Sequence, residues 1–372
     1  MSRKLIAAIK NRVLEICRRE TPSEWRLDEY QRVFEKMLAE SIVEAGIDES
    51  EIKSLVNDSY QEAIASAAAS LLAQLKKRWP NQLRNEMKQE AGFRKRTYAR
   101  WKDGIDLLRM MLVISHEVGA RFNELHRPHA ANNDDYQFEA LVNLHAQAIR
   151  VSREIVTLLE AGYPDGALSR WRTLHEIATI MTFLRHCDDV EVAERFLLHR
   201  RVVACKALEQ YREYQDRARL DPIADDELED ARRAKTDVID RFGSEMNSDY
   251  GWAAHKLGRK RPTLFDLEKH VGLDHWRPRF KWACDDIHGS YRTIGTTLGE
   301  AESVSPVLLA GASNSAFTDP AHMMSISLNM ANAALLREAP TVDLLAILSV
   351  LESLANDVGS AFLDIEARTT RE

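Results

Sequence analysis

Apolar residues recur along most of this chain at intervals of three and four rather than two, the period of a helix buried on one side. The clearest stripe is Ala167, Trp171, Leu174, Ala178 and Met181, with steps of 4, 3, 4 and 3. A shorter one, Leu5, Ile9, Val13 and Ile16, stands near the start and could meet a partner or a second copy. No window alternates apolar and polar positions long enough to make a strand. The pattern predicts an all-α chain, a multi-helix bundle with an N-terminal helical arm.

Punctuation residues divide that pattern. Pro22 should end the first amphipathic segment, Gly46 the second, and Pro80 a long third segment over 52–78. The stretch HRPHAANNDD, 126–135, has turn formers and no apolar period, so it reads as a linker between a helical region, 1–126, and a bundle domain, 134–372. Three helices should follow: 136–161 with Gly162 as its C-cap, 165–186, and one capped by Asp188 or Asp189 that runs to about 220. Further helices are expected over 222–241, over 275–298 with Phe280, Cys284, Ile287, Tyr291 and Ile294 turned inward, and over 319–337. Asp319-Pro320 reads as the cap and first turn of that last one, and Pro340 should open another. Met323, Met324 and Met330 read as core filling.

Composition narrows the class. With 372 residues, 45% apolar and 7% aromatic, the chain can bury a core, which excludes disordered and collagen-like readings. Cys17, Cys187, Cys205 and Cys284 form no CxxC pair, which argues against a zinc ribbon and for reduced thiols. The opening MSRKLIAAIKNRVLEICRRE is too charged for a signal peptide, and the apolar runs at 110–114 and 344–351 fall well short of the roughly 20 residues of a membrane span. A cytoplasmic protein without membrane association is expected.

Charge changes the picture most. The net charge is −7, yet residues 76–102 hold ten Lys/Arg against two Glu, so the remainder carries −15. Lys76, Lys77, Arg78, Arg94, Lys95, Arg96, Arg100 and Trp101, interleaved with Trp79, Phe93 and Tyr98, form the mixture expected where phosphates are neutralised and bases stack. The competing reading is a strap whose cations pair with the acidic remainder. A second stretch, 256–281, has eight Lys/Arg against three acids.

The central helices carry the candidate chemistry. Arg172 and Glu176 are i and i+4, about 40° apart, and His175 lies about 60° from Arg172. Arg195 and His199 repeat the spacing on the next helix. If the two helices pack antiparallel across Asp188-Asp189, both pairs face one cleft; the alternative is ordinary helix ion pairing. Cys284 and His288 are also i and i+4, but Cys284 falls on an apolar stripe, so His288 is the better cleft candidate.

The run from about 143 to 336, with RTLHE, RFLLHRR, DDIHGS and DPAHMMSIS, resembles an uncharacterised helical family of bacteria, one of the domains of unknown function. Such domains are likened to the HEPN superfamily (higher eukaryotes and prokaryotes nucleotide-binding), which includes metal-independent ribonucleases of toxin–antitoxin and antiphage systems. That resemblance implies an R-x4-6-H motif, its histidine moving a proton at the ribose 2′-OH and its arginine steadying the anionic transition state. Arg170 to His175 fits, as do Arg121 to His126 and Arg109 to His116, about the number chance supplies. On a continuous helix Arg170 and His175 stand about 140° apart, so a helix start or a second protomer must bring them together.

The expectation is therefore a bacterial defence or toxin-like protein acting on RNA or nucleotides, with Arg170, Arg172, His175, Glu176, His199 and His288 lining the cleft. RNA, a protein partner and a second copy of the chain are the expected partners. The alternative is a non-enzymatic helical adaptor or antitoxin-like protein. No cofactor or metal is expected: H-E-x-x-H is absent, and His126 with His129 is a poor ligand pair without a nearby carboxylate constellation.

Overall fold

The computed structural model describes residues 49–285, 297–303 and 308–369, together with Lys36. The stops expected at Pro22 and Gly46, the Leu5 stripe, Cys17, Ile287, His288, Tyr291 and Ile294 lie outside the described residues. Among those described there are ten α-helices and no strand: α1 (Glu49–Asn132), α2 (Tyr136–Glu160), α3 (Pro164–Cys187), α4 (Val190–Ala218), α5 (Asp225–Phe242), α6 (Ala254–Leu257), α7 (Leu264–His270), α8 (Arg277–Asp285), α9 (Thr318–Leu336) and α10 (Val342–Thr369). The all-α multi-helix reading is thus correct.

The chain forms two compact units, 1–93 and 94–372. In the first, α1 continues through Pro80. The strong helix formers on both sides outweigh the one backbone hydrogen bond and the steric clash that proline costs. Leu72, Leu75, Trp79, Leu83 and Met87 are exposed there at steps of three and four.

In the second unit, α3 is the central element. Its predicted stripe, Ala167, Trp171, Leu174, Ala178 and Met181, is buried, and it packs against α2, α9, α8 and α7. Gly162 takes φ +85°, as a helix-ending glycine should, and the Asp189 side chain caps α4 by accepting from the Glu191 N–H. At α9 the register differs. Phe317 occupies the cap position and Asp319-Pro320 falls inside the first turn, where Arg279 reaches the Asp319 carboxylate.

The expected linker is mostly helix. α1 runs to Asn132, and the break is confined to a short turn in which Asp134 takes φ +50° and Asp135 accepts from the Phe138 N–H at 2.9 Å. Tertiary contacts override the turn formers: Phe122 stacks on Phe138, and Arg127 pairs with Glu139 at 3.0 Å. The division between compact units falls at residues 93/94 because Ile105, Leu108, Met111 and Phe122 of α1 belong to the second unit's core.

Trp101 and Arg100 are corrections of the nucleic-acid assignment. Trp101 has no exposed surface; it stacks on Phe317 and Phe362 with ring centroids 5.0 and 5.4 Å apart, and its Nε1–H donates to the Asn314 Oδ1 at 2.9 Å. Arg100 forks onto both Glu302 oxygens at 2.7 and 2.9 Å. These side chains fasten α1 to the segment before α9, which is the strap reading of this part of the stretch. Lys76, Lys77, Arg94, Lys95 and Arg96 are exposed, and Arg78 is half-buried.

α10 is long and apolar enough to cross a membrane, with an 18-residue stretch of mean hydropathy 1.3 inside Val342–Arg368, more than the short run at 344–351 suggested. Its residues Leu348, Leu351, Leu354, Ala355, Val358, Phe362 and Ile365 are buried at steps of three and four, and it packs against α9, so it serves as a core helix of this unit.

Replacing Trp101 with Ala should destabilise the second unit by about 3–5 kcal/mol, because it empties a site where three aromatic rings meet. The denaturant midpoint measures this; a shift of under about 1 kcal/mol would contradict the packing role.

Candidate functional site

Two segments between α5 and α7 form the walls of an open groove of about 760 Å³. One wall is Ser244, Glu245, Asn247, Ser248, Asp249 and Tyr250, and the other is Lys260, Arg261, Pro262 and Thr263. A second depression of about 300 Å³ shares Glu245 and Lys260 with it and adds Arg195, Phe242, His255 and Arg259.

The first wall is built from two 3-10 turns, Ser244–Asn247 and Gly251–Ala253. They lie so close that a Cβ on residue 251 would sit 2.0 Å from the Glu245 carbonyl oxygen, so only glycine fits there. Helices α3 and α4 grip this wall through polar side chains. The Tyr250 hydroxyl donates to Glu176 Oε1 at 2.6 Å, and burial together with that carboxylate pushes the phenol pKa up, so it stays protonated. His199 Nε2 donates to the Ser248 carbonyl at 3.0 Å, Lys206 to the Asn247 carbonyl, and Arg195 to the Phe242 carbonyl at 3.1 Å.

The second wall leads into α7 through a capping box: the Thr263 N–H and hydroxyl both donate to Asp266 Oδ2, at 2.9 and 2.8 Å. Arg259 pairs with the same carboxylate's other oxygen at 3.1 Å. α7 is held to α3 by Glu268, whose carboxylate is fully buried and meets His175 Nε2 at 3.1 Å and Arg277 at 3.0 Å. His175 is sandwiched between Trp171 and Phe280.

Glu176, Arg195 and His199 each reach a different residue of the 242–250 segment, Tyr250, Phe242 and Ser248 respectively, with His175 supporting the other wall. His175 is 1% exposed and His199 7%, so neither lines an open cleft. The correction has a physical cause: the polar sector of α3 and α4 faces buried carbonyls, a carboxylate and a phenol rather than water. Arg172 lies over the Phe280 ring at 5.1 Å. Arg170 points to the opposite side, where it pairs with Glu154 on α2, so it does not join His175. Of the candidate set, Arg195 lines the adjoining depression. His288 lies outside the described residues.

The sequence signalled the second wall only as a basic stretch and gave no sign of the first. Ser244, Asn247, Ser248 and Tyr250 carry no motif, and their assembly depends on Gly251 and on helices far away in the chain.

The groove's lining falls wholly within one recognisable segment. Residues 138–303 match the model of a family of unknown function, DUF5677. No curated protein and no solved structure matches the chain. The DUF5677 segment contains both walls and all the side chains of α3 and α4 that hold them, while α1, α9 and α10 lie outside it.

Burial holds the His199 imidazole below its usual value near 6.5, so it is neutral in the fold and donates through one nitrogen. The unfolded chain takes up a proton more readily. The contribution is therefore complete above about pH 6.5 and is lost as pH falls through the lower folded value. The wild-type melting temperature should drop between pH 7.5 and 5, and His199→Gln, which keeps an N–H for Ser248, should drop less. Equal drops would assign the pH dependence elsewhere.

Proposed function

We propose that the protein binds RNA along this groove and acts as a defence or toxin-like protein of the HEPN kind. One observation carries the reading. Lys260 and Arg261 stand on the main groove, and Arg259 and His255 line the depression that continues it, with Arg195 at its base paired to Glu191, so four cationic or imidazole groups follow one surface track. A row of this kind neutralises successive phosphates of a strand. Glu245 and Asp249 between them accept hydrogen bonds and suit ribose 2′-hydroxyls, which favours RNA over DNA.

The HEPN likeness adds metal-independent cleavage to that reading. His255 is the imidazole lining the track, and Arg259 follows it by four residues, an order and spacing outside the R-x4-6-H pattern, so the pair stands on its place in the track and not on the motif. In this chemistry His255 takes the proton from the 2′-OH as that oxygen attacks phosphorus. The bond from phosphorus to the 5′-oxygen breaks, that oxygen takes a proton from water to leave a 5′-hydroxyl and a 2′,3′-cyclic phosphate, and Arg259 holds the anionic transition state. The adaptor reading has its own support in the exposed Leu72, Leu75, Trp79, Leu83 and Met87 of the first unit, a row suited to a partner helix.

Fluorescence anisotropy with a labelled single-stranded RNA tests the binding. Lys260→Glu with Arg261→Glu should weaken affinity at least tenfold at low salt and reduce the log–log salt slope by about 1.4, two contacts at roughly 0.7 each. Unchanged affinity and slope would remove the groove from consideration. Cleavage, followed on the same RNA with EDTA present, should fall about a hundredfold or more in His255→Ala. Tight binding by a wild type that cuts nothing would leave the adaptor reading in its place.

A further inference from the structure

Another cavity, of about 340 Å³, lies between α1, α2 and α9, apart from the groove. Its lining includes no carboxylate. It is made of His116, Gly119, Ala120 and Asn123 from α1, Val142, His145, Ala146, Ile149, Arg150 and Arg153 from α2, and Leu335 from α9. Two features make it a built site rather than a gap between helices.

The first is a buried imidazole with a defined hydrogen-bonding role. Asn332 Nδ2 donates to the Ser115 hydroxyl at 2.8 Å, which leaves Asn332 Oδ1 as the acceptor for His145 Nε2–H, also at 2.8 Å. His145 is 4% exposed, and its Nδ1 is then a lone-pair acceptor. That nitrogen lies toward Gly119: a Cβ there would stand 2.6 Å from Nδ1 and 2.4 Å from Cε1. Glycine in mid-helix costs about 1 kcal/mol relative to alanine, and here its lack of a side chain makes room for the imidazole edge against α1, where both residues line the cavity. Burial also lowers the imidazole's pKa, which keeps the acceptor unprotonated.

The second is charge. Arg150 and Arg153 are exposed on one rim at i and i+3, and neither guanidinium meets a carboxylate among the described residues. His116 is exposed on the facing helix, and the Oδ1 of Asn123 is occupied by Arg127 at 2.8 Å, which turns its amide N–H2 to other partners. Val142, Ala146, Ile149 and Leu335 supply an apolar wall.

We infer that this cavity binds a nucleoside monophosphate. The two guanidiniums take the phosphate, the apolar wall takes the flat face of the base, and His145 Nδ1 accepts from an N–H on the base edge. A cavity of this size lies within the range of small-ligand sites. The site does not depend on the groove binding RNA, so either can fail while the other stands.

Isothermal titration of the full-length protein with AMP, GMP, CMP and UMP, and separately with ribose 5-phosphate and inorganic phosphate, tests it. At least one nucleotide should bind, at least tenfold more tightly than the two base-free phosphates. Arg150→Gln with Arg153→Gln, at exposed positions, should weaken it tenfold or more. Ala146→Trp, which fills the cavity from its exposed rim, should abolish binding with an unchanged melting temperature. Lys260→Glu with Arg261→Glu should leave nucleotide binding intact. Lack of binding by all four nucleotides, equal binding of inorganic phosphate, or nucleotide binding lost with the groove substitutions instead would overturn the assignment.

Discussion

Glu268 is a carboxylate without solvent exposure, and the groove's geometry rests on how it is neutralised. A charged group moved out of water is penalised by several kcal/mol unless opposing charge and donors are held in place against it. His175 from α3 and Arg277 at the start of α8 provide them. The arrangement holds α7 to the central helix, and the capping box at Thr263 then fixes where the chain leaves α7 toward Arg261 and Lys260. Removing one member of such a trio strands the others, so His175, a residue easily mistaken for a catalytic group, is also one that the wall cannot lose. A variant at His175 therefore reports on folding before it reports on chemistry.

The same reasoning explains what was legible in the sequence. Apolar period and capping residues depend on local physics, so the spans of α2, α3 and α4 and the buried stripe of α3 could be read directly. Local signals failed where tertiary contacts outweighed them. The Pro80 stop, the 126–135 linker and the cap of α9 were each decided by packing or by neighbouring helix formers. Polar residues were harder. A helical wheel places Glu176 and His199 on one side, but it cannot say whether that side faces water or a buried loop. That is why the Arg/His/Glu positions of α3 and α4 were read as one cleft lining although their side chains go to separate buried partners. The basic segment behaved likewise: composition counts Arg100 and Lys95 alike, although one is forked onto Glu302 and the other faces solvent.

The two proposed sites differ in how the chain builds them, and that difference bears on their independence. Every lining residue of the groove, and each helix that buttresses it, falls within residues 138–303. The cavity does not: His116, Gly119 and Asn123 come from α1 and Leu335 from α9, so the matched segment supplies only the α2 side. In this chain that segment holds every residue of the cationic track, and Arg150 and Arg153 without the helix that faces them. The hydrogen-bonded chain Ser115, Asn332, His145 also links three helices, two of which lie outside the segment. The orientation of the imidazole is thus set by the additional helices and not by the shared core. The groove is built wholly from the matched segment, whereas the cavity is a property of how this chain encloses that segment with α1 and α9.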